Sequence, residues 1–121
     1  MDVRIYYEDT DAGGVVYHAN YLNYMERARS EFLRERAMSV AEMHNMGIIF
    51  PVVSILINYR APARLDDLLE VQTRIVEVKN SSFVAGQQVI RKEDGKLLAD
   101  ARVTLACVGD GMKARRLPAE L

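Results

Sequence analysis

The chain reads as an α+β domain in which one long helix covers part of an antiparallel five-stranded sheet. Three observations predict this class. A single long run of helical periodicity lies between about Ala19 and Arg36. Five stretches read as strands, one before that helix and four after it. The turns among the later strands are of hairpin type, Asn80-Ser81-Ser82 and Asp94-Gly95, which brings neighbouring strands back antiparallel.

Val3 to Glu8 is expected as a short first strand. Glu8-Asp9-Thr10-Asp11-Ala12-Gly13-Gly14 is a loop by composition, and its paired glycines allow positive φ or a close approach of backbone to a ligand. In the helix, Tyr21, Met25, Ala28 and Phe32 recur at spacings of 4, 3 and 4, giving one apolar stripe. Ser39-Val40-Ala41-Glu42 matches a capping box and Gly47 suits a helix stop, so a short second helix is expected.

From Val53 the period becomes two. Val53, Ile55, Ile57 and Tyr59 alternate with Ser54, Asn58 and Arg60, and Leu69, Val71, Thr73 and Ile75 with Glu70, Gln72 and Arg74. Further strands are expected over about Phe83 to Lys92 and from Leu97 to Cys107, with Leu97, Ala99, Ala101, Val103, Leu105 and Cys107 on one face. Such alternation describes a sheet buried on one side. One helix cannot cover five strands, and sheet edges need protection, so self-association is expected.

The 121 residues suit a single domain, 1–121, with one core. No stretch approaches the ~20 apolar residues of a membrane span. The N-terminus carries no basic-then-apolar leader, so a cytoplasmic protein is expected. The net charge of −1, from 16 Lys and Arg against 17 Asp and Glu, argues against a nucleic-acid binder. Basic clusters at Arg27, Arg29, Arg34, Arg36 and at Lys113, Arg115, Arg116 read as solvated faces. The lone Cys107 excludes an intrachain disulfide and reads as a core residue. One cysteine and two histidines are a poor basis for zinc, and neither a metal nor a cofactor is expected.

The common catalytic signatures are missing: no Gly-x-Ser-x-Gly elbow, no phosphate loop, no His-Glu-x-x-His. Ser30, Ser39, Ser54, Ser81 and Ser82 have no motif support as nucleophiles. What stands out is Tyr7-Glu8-Asp9-Thr10-Asp11-Ala12-Gly13-Gly14-Val15-Val16-Tyr17-His18-Ala19-Asn20-Tyr21. It sets three acids, two glycines and a histidine just before a helix start. Free N–H groups and partial positive charge at a helix N-terminus suit a polarised carbonyl oxygen, and favour an ionised carboxylate nearby. On composition alone, a polar loop that caps the helix reads equally well.

The segment from Tyr6 to Arg29 resembles the signature of the 4-hydroxybenzoyl-CoA thioesterase family of hotdog-fold proteins. It is most similar to the Tol–Pal-associated acyl-CoA thioesterase branch. Tyr59-Arg60-Ala61-Pro62-Ala63-Arg64-Leu65-Asp66-Asp67 resembles the family's turn between its second and third strands. The resemblance implies a sheet wrapped around the long helix, sheets joined in dimers that often pair into tetramers, and active sites at the subunit interface. It implies hydrolysis of an acyl-CoA to free acid and CoA. The second Asp of its Asp-x-Asp pair, here Asp11, would be the catalytic carboxylate, with Asp9 and Glu8 structural. The family's 4-hydroxybenzoyl enzymes have Tyr seven residues later. This chain has His18, as the Tol–Pal branch does, which argues against 4-hydroxybenzoyl-CoA and brings an imidazole to the site.

The His18 N–H, inherited from the family as a carbonyl contact, would stabilise charge on the thioester oxygen. Asp11 would attack the carbonyl or activate water. The His18 side chain would orient substrate or water, or donate a proton. Gly13 and Gly14 would serve as backbone enablers, with Tyr17 among the binding residues. Lys79-Asn80-Ser81-Ser82 sits where the family's nucleotide-contacting hairpin is expected, with Arg60 and Arg64 as weaker candidates for the CoA phosphates. Tyr24 and Phe50 are candidates for an acyl pocket formed between subunits. Two other functions are weighed: a non-catalytic module binding acyl-CoA or acyl carrier protein, and a hotdog enoyl-CoA hydratase or dehydratase. A pure binder has no need of a carboxylate at the thioester, and the motif is the thioesterase one. Acyl carrier protein and an envelope-complex partner stay open, as does the acyl chain.

Overall fold

The computed structural model describes residues 1–121. Five strands form one antiparallel sheet: β1 (Asp2–Arg4), β2 (Val52–Tyr59), β3 (Leu68–Val78), β4 (Ser82–Arg91) and β5 (Lys96–Ala106). Their order across the sheet is β1-β3-β4-β5-β2. The long helix α1 (Asn20–Glu35) packs on the inner face against β3 and β4, and α2 (Val40–Asn45) follows it. This is the α+β arrangement expected, with hairpins at both predicted turns. At the second, Gly95 adopts φ 71° and the Asp94 carboxylate accepts the Lys96 N–H.

Three details differ from the sequence reading. The first strand ends at Arg4, and Tyr7–Asp9 form a 3-10 turn instead of a strand continuation. The cause is local: the Asp9 carboxylate accepts the Tyr6 N–H and draws the backbone into a turn. At the start of β5 the core residue is Leu98, with Leu97 half-buried. A β-bulge between Val89 and Ile90 of β4 shifts the pairing there, and in a strand of period two a one-residue shift swaps faces. The Leu98 carbonyl then receives the N–H groups of both Arg60 and Ala61. In β2 the alternation does not become burial, because β2 is an edge strand that α1 does not cover. Val53 is 60 % exposed and Leu56 62 %.

The main core gathers Tyr21, Tyr24, Met25 and Ala28 of α1 over Leu69, Val71, Ala85, Val89, Ala101 and Val103 of the sheet. Phe32, expected on this stripe, is only half-buried; Tyr24 and Leu33 are buried beside it. A smaller cluster joins Leu33, Met38, Met43, Ile48 and Cys107 beneath α2. There the Ser39 hydroxyl caps α2 by accepting the Glu42 N–H at 3.3 Å; Glu42 does not return the second bond of a full capping box. Gln87, at 2 % exposure the one buried polar residue, crosslinks helix and sheet. Its amide donates to the Met25 carbonyl and to Thr73 Oγ1, and its oxygen accepts from Arg29. Every buried side-chain polar atom is thereby partnered.

The helix α1 ends through Ala37 at φ 58°, a left-handed conformation that costs an L-residue with a Cβ about 1–2 kcal/mol. Ala37→Gly removes that strain but gives the unfolded chain more freedom. The expected net is a stabilisation of about 0.5–1 kcal/mol, read as a higher urea midpoint with an unchanged m-value.

Candidate active site

The loop between β1 and α1 is built by a reciprocal set of bonds centred on Asp9. Its carboxylate accepts the Tyr6 N–H at 2.8 Å and the Tyr24 hydroxyl at 2.7 Å. Its main-chain carbonyl accepts the Tyr17 N–H at 3.0 Å and the Asn20 side-chain amide at 2.9 Å. One residue thus ties both ends of the loop to the first two turns of α1. Burial, reinforced by the Asp9 carboxylate, pushes the Tyr24 phenol far above its ordinary range, so Tyr24 is held as a donor. Tyr24 is 2 % exposed and its hydroxyl is committed to Asp9, so it is a core residue and does not line an open pocket.

Asp11 stands exposed at the tip of this loop. Its Oδ1 accepts the Gly13 N–H at 2.8 Å, and its own N–H donates to the Val15 carbonyl at 2.9 Å. A Cβ at position 13 would sit 3.1 Å from Asp11 Oδ1, and Gly14 adopts φ +79°. The first glycine lets the carboxylate fold over the turn, and the second takes a conformation that side chains disfavour. Asp11 Oδ2 has no partner within the chain. The loop is sewn to the connection between β2 and β3 by the Val15–Arg64 bridge and the Val16 N–H bond to the Ala63 carbonyl.

The loop delivers the chain into α1 without a cap. Ala19 is the N-cap residue, makes no side-chain capping bond, and no acid lies in the first turn. The first turn is closed by short-range bonds, Asn20 N–H to the Tyr17 carbonyl and Leu22 N–H to the Ala19 carbonyl. The N–H groups of His18 and Ala19 donate to nothing in the chain. They form an open pair of donors at the positive end of a 16-residue helix dipole. Beside them lies a shallow cleft of about 320 Å³ lined by Val16, His18, Tyr21, Tyr59 and Ala61–Pro62. The His18 ring is exposed, 4.6 Å from the Tyr17 ring and 6.3 Å from that of Tyr59.

Arg60 borders this cleft but is engaged with Asp100 at 2.8 Å. The Arg60 guanidinium, with help from Asn58, holds the Asp100 carboxyl below its ordinary value. Arg64 is a loop residue, its N–H bonded to the Asp67 carboxylate. Phe50 lies elsewhere, in an apolar groove of about 310 Å³ between α1, α2 and β2 that also contains Leu33, Met43 and Ile48. No three histidine, cysteine or carboxylate side chains gather in a metal-binding cluster.

Lys79-Asn80-Ser81-Ser82 form the β3–β4 turn at the far end of β3 from the Asp11 loop. β3 has 11 residues, which at ~3.3 Å each separate its two ends by roughly 35 Å. Within one subunit Asp11, Gly13, Gly14, Tyr17 and His18 share the loop between β1 and α1, and the Lys79–Ser82 turn stands apart from it. The turn is instead packed under the C-terminal tail: the Cys107 N–H bonds to the Ser81 carbonyl and the Leu117 N–H to the Asn80 carbonyl. Tyr59 is a site-building residue that sequence reading did not assign, and Tyr24, expected in an acyl pocket, instead anchors the loop through Asp9; both hydroxyl partners are tertiary.

The thioesterase superfamily profile matches residues 13–98. The chain is 47 % identical over 117 residues, 96 % of its length and 87 % of the relative's, to the acyl-CoA thioester hydrolase YbgC of Escherichia coli O6:H1. The crystal structure of a probable thioesterase from Bartonella henselae superposes with a TM-score of 0.91 at 37 % identity, covering 98 % of this chain and 97 % of that one. A 1,4-dihydroxy-2-naphthoyl-CoA thioesterase from Synechocystis gives 0.92 at 27 % identity, covering 99 % and 89 %.

The Asp9–Tyr24 bond is the hinge of the loop's anchorage. Tyr24→Phe removes a buried hydrogen bond to a charged acceptor, and a loss of about 1.5–3 kcal/mol in unfolding free energy is expected by urea denaturation.

Proposed function

The chain belongs to the thioesterase superfamily and hydrolyses acyl-CoA thioesters through a hotdog fold; we propose that Asp11 is the carboxylate that carries the reaction. The observation that supports this most is the pair of unpartnered N–H groups of His18 and Ala19 at the uncapped start of α1, on the same loop-to-helix segment as Asp11. The thioester oxygen accepts from these donors, which stabilise the negative charge that grows on it as the carbonyl carbon becomes tetrahedral. Asp11 then acts by one of two routes. It adds to the carbonyl carbon, the carbon–sulfur bond breaks with its electrons leaving on the CoA thiolate, and water hydrolyses the mixed anhydride. Alternatively it takes a proton from a water whose oxygen makes the same attack. The His18 imidazole, exposed beside the donors, orients the substrate or the water. Since the substrate is a CoA ester, the place of action is the cytoplasm.

The substrate site is completed between subunits in this reading. The Lys79–Ser82 turn lies too far from Asp11 to reach one ligand in the same chain, so a second copy supplies its Lys79 charge and turn N–H groups to the nucleotide end of CoA. The exposed apolar edge of β2 supports a sheet continued through that strand into a dimer, which pairs further or not.

Asp11→Asn is expected to lower kcat by at least 10³-fold on the best substrate of a panel of acetyl-, butyryl-, hexanoyl-, palmitoyl- and benzoyl-CoA. Thiol release is the readout, and near-normal turnover would remove Asp11 from the mechanism. In single-turnover hydrolysis in ¹⁸O water, label on Asp11 supports the anhydride, and a consistently unlabelled Asp11 argues against it. Lysines at both Ile55 and Leu56 would place charge on both faces of the β2 edge. Light scattering is expected to show this variant as an inactive monomer, whereas a fully active monomer would contradict an intersubunit site.

A further inference from the structure

The start of α1 contains a carbonyl that the helix does not use. His18 precedes the N-cap Ala19, so its carbonyl stands just outside the run of helix acceptors. Here Leu22 donates to the Ala19 carbonyl at 3.1 Å and Asn20 to the Tyr17 carbonyl at 2.9 Å, so the His18 carbonyl is bypassed. Its sole partner is a side chain 41 positions away, the Tyr59 hydroxyl, which donates to it at 2.9 Å. Tyr59 is the last residue of the edge strand β2, and its ring is braced edge-on against Tyr21 at 5.4 Å and against His18 at 6.3 Å. The phenol lines the cleft next to the open N–H groups. A phenol ordinarily titrates at about pH 10, so the hydroxyl is a donor through the neutral range.

We propose that Tyr59 is a positioning residue for thioester hydrolysis, its hydroxyl holding the His18–Ala19 peptide so that the Ala19 N–H, beside that of His18, meets the substrate oxygen. The inference rests on the reading that these N–H groups receive that oxygen. A trans peptide is planar, so fixing the His18 carbonyl also fixes the direction of the Ala19 N–H on the opposite side. It also turns a lone-pair-bearing oxygen toward the phenol and away from the place where negative charge develops. A donor that is aimed in advance needs no reorganisation as that charge grows. Two short-range turns closing around an otherwise unpartnered carbonyl would not hold this aim unaided.

Tyr59→Phe keeps the ring and its contacts and deletes only the donor. The expected result is a fall in kcat of about tenfold or more, with KM within about twofold of wild type. The carbonyl stretch of the best panel substrate, ¹³C-labelled at its thioester carbon and bound to Asp11→Asn, gives a direct reading of polarisation. It is expected at lower frequency than in free acyl-CoA, and to move back toward the free value in Asp11→Asn/Tyr59→Phe. A kcat within twofold of wild type, or a carbonyl frequency unchanged by Tyr59→Phe, overturns the role of Tyr59 alone. A frequency in Asp11→Asn equal to that of free acyl-CoA overturns the donor assignment on which it rests.

Discussion

Asp9 is the residue on which the geometry of the site depends. Four hydrogen bonds converge on it, two to its carboxylate and two to its carbonyl. Together they fix the entry of the loop, its exit and its position on α1. Three of the four donors come from the loop's flanks or from α1, so a glycine-rich segment that would otherwise sample many conformations is held in one. A carboxylate suits this task because bonds to a charged acceptor are stronger than neutral ones, and Tyr24, buried beneath it, has no competing solvent partner. The neighbouring acid two residues on is left exposed by the same arrangement, with one oxygen turned into a tight turn and the other free.

Anchoring the loop in this way leaves the helix it feeds without a cap. Ser, Thr, Asp or Asn at that position would satisfy a main-chain donor and add about 1 kcal/mol of stability. Ala19 cannot, and no acid in the first turn offsets the dipole. The loss is local and lies where an incoming carbonyl oxygen can take the vacant role. The Gln87 crosslink in the middle of α1 and the Asp9 set at its start keep the helix in place despite its open end.

The sheet imposes the second constraint. Its β1-β3-β4-β5-β2 order leaves β2 as an edge with apolar side chains on both faces. It also sets the glycine loop and the β3–β4 turn at opposite ends of β3. A ligand as long as CoA, with a thioester at one end and phosphates at the other, is therefore read most simply as spanning two copies of the chain. Tyr59, at the end of β2, lies where assembly through that edge and the aim of the His18 peptide would meet.

By itself the sequence determined the period of each element, hence one long helix, a short second one and an antiparallel sheet. It also singled out the Asp11–His18 segment as a candidate for chemistry, with a plain helix-capping loop reading equally well on composition alone. These are local properties, written in spacings of two to four residues. What only the tertiary structure decided depends on residues far apart in the chain: the bulge that puts Leu98 in the core, the bare edge of β2, and the bonds Tyr24 to Asp9 and Tyr59 to His18. Periodicity reports which face of an element is apolar, but a hydroxyl finds its partner only once the elements have packed.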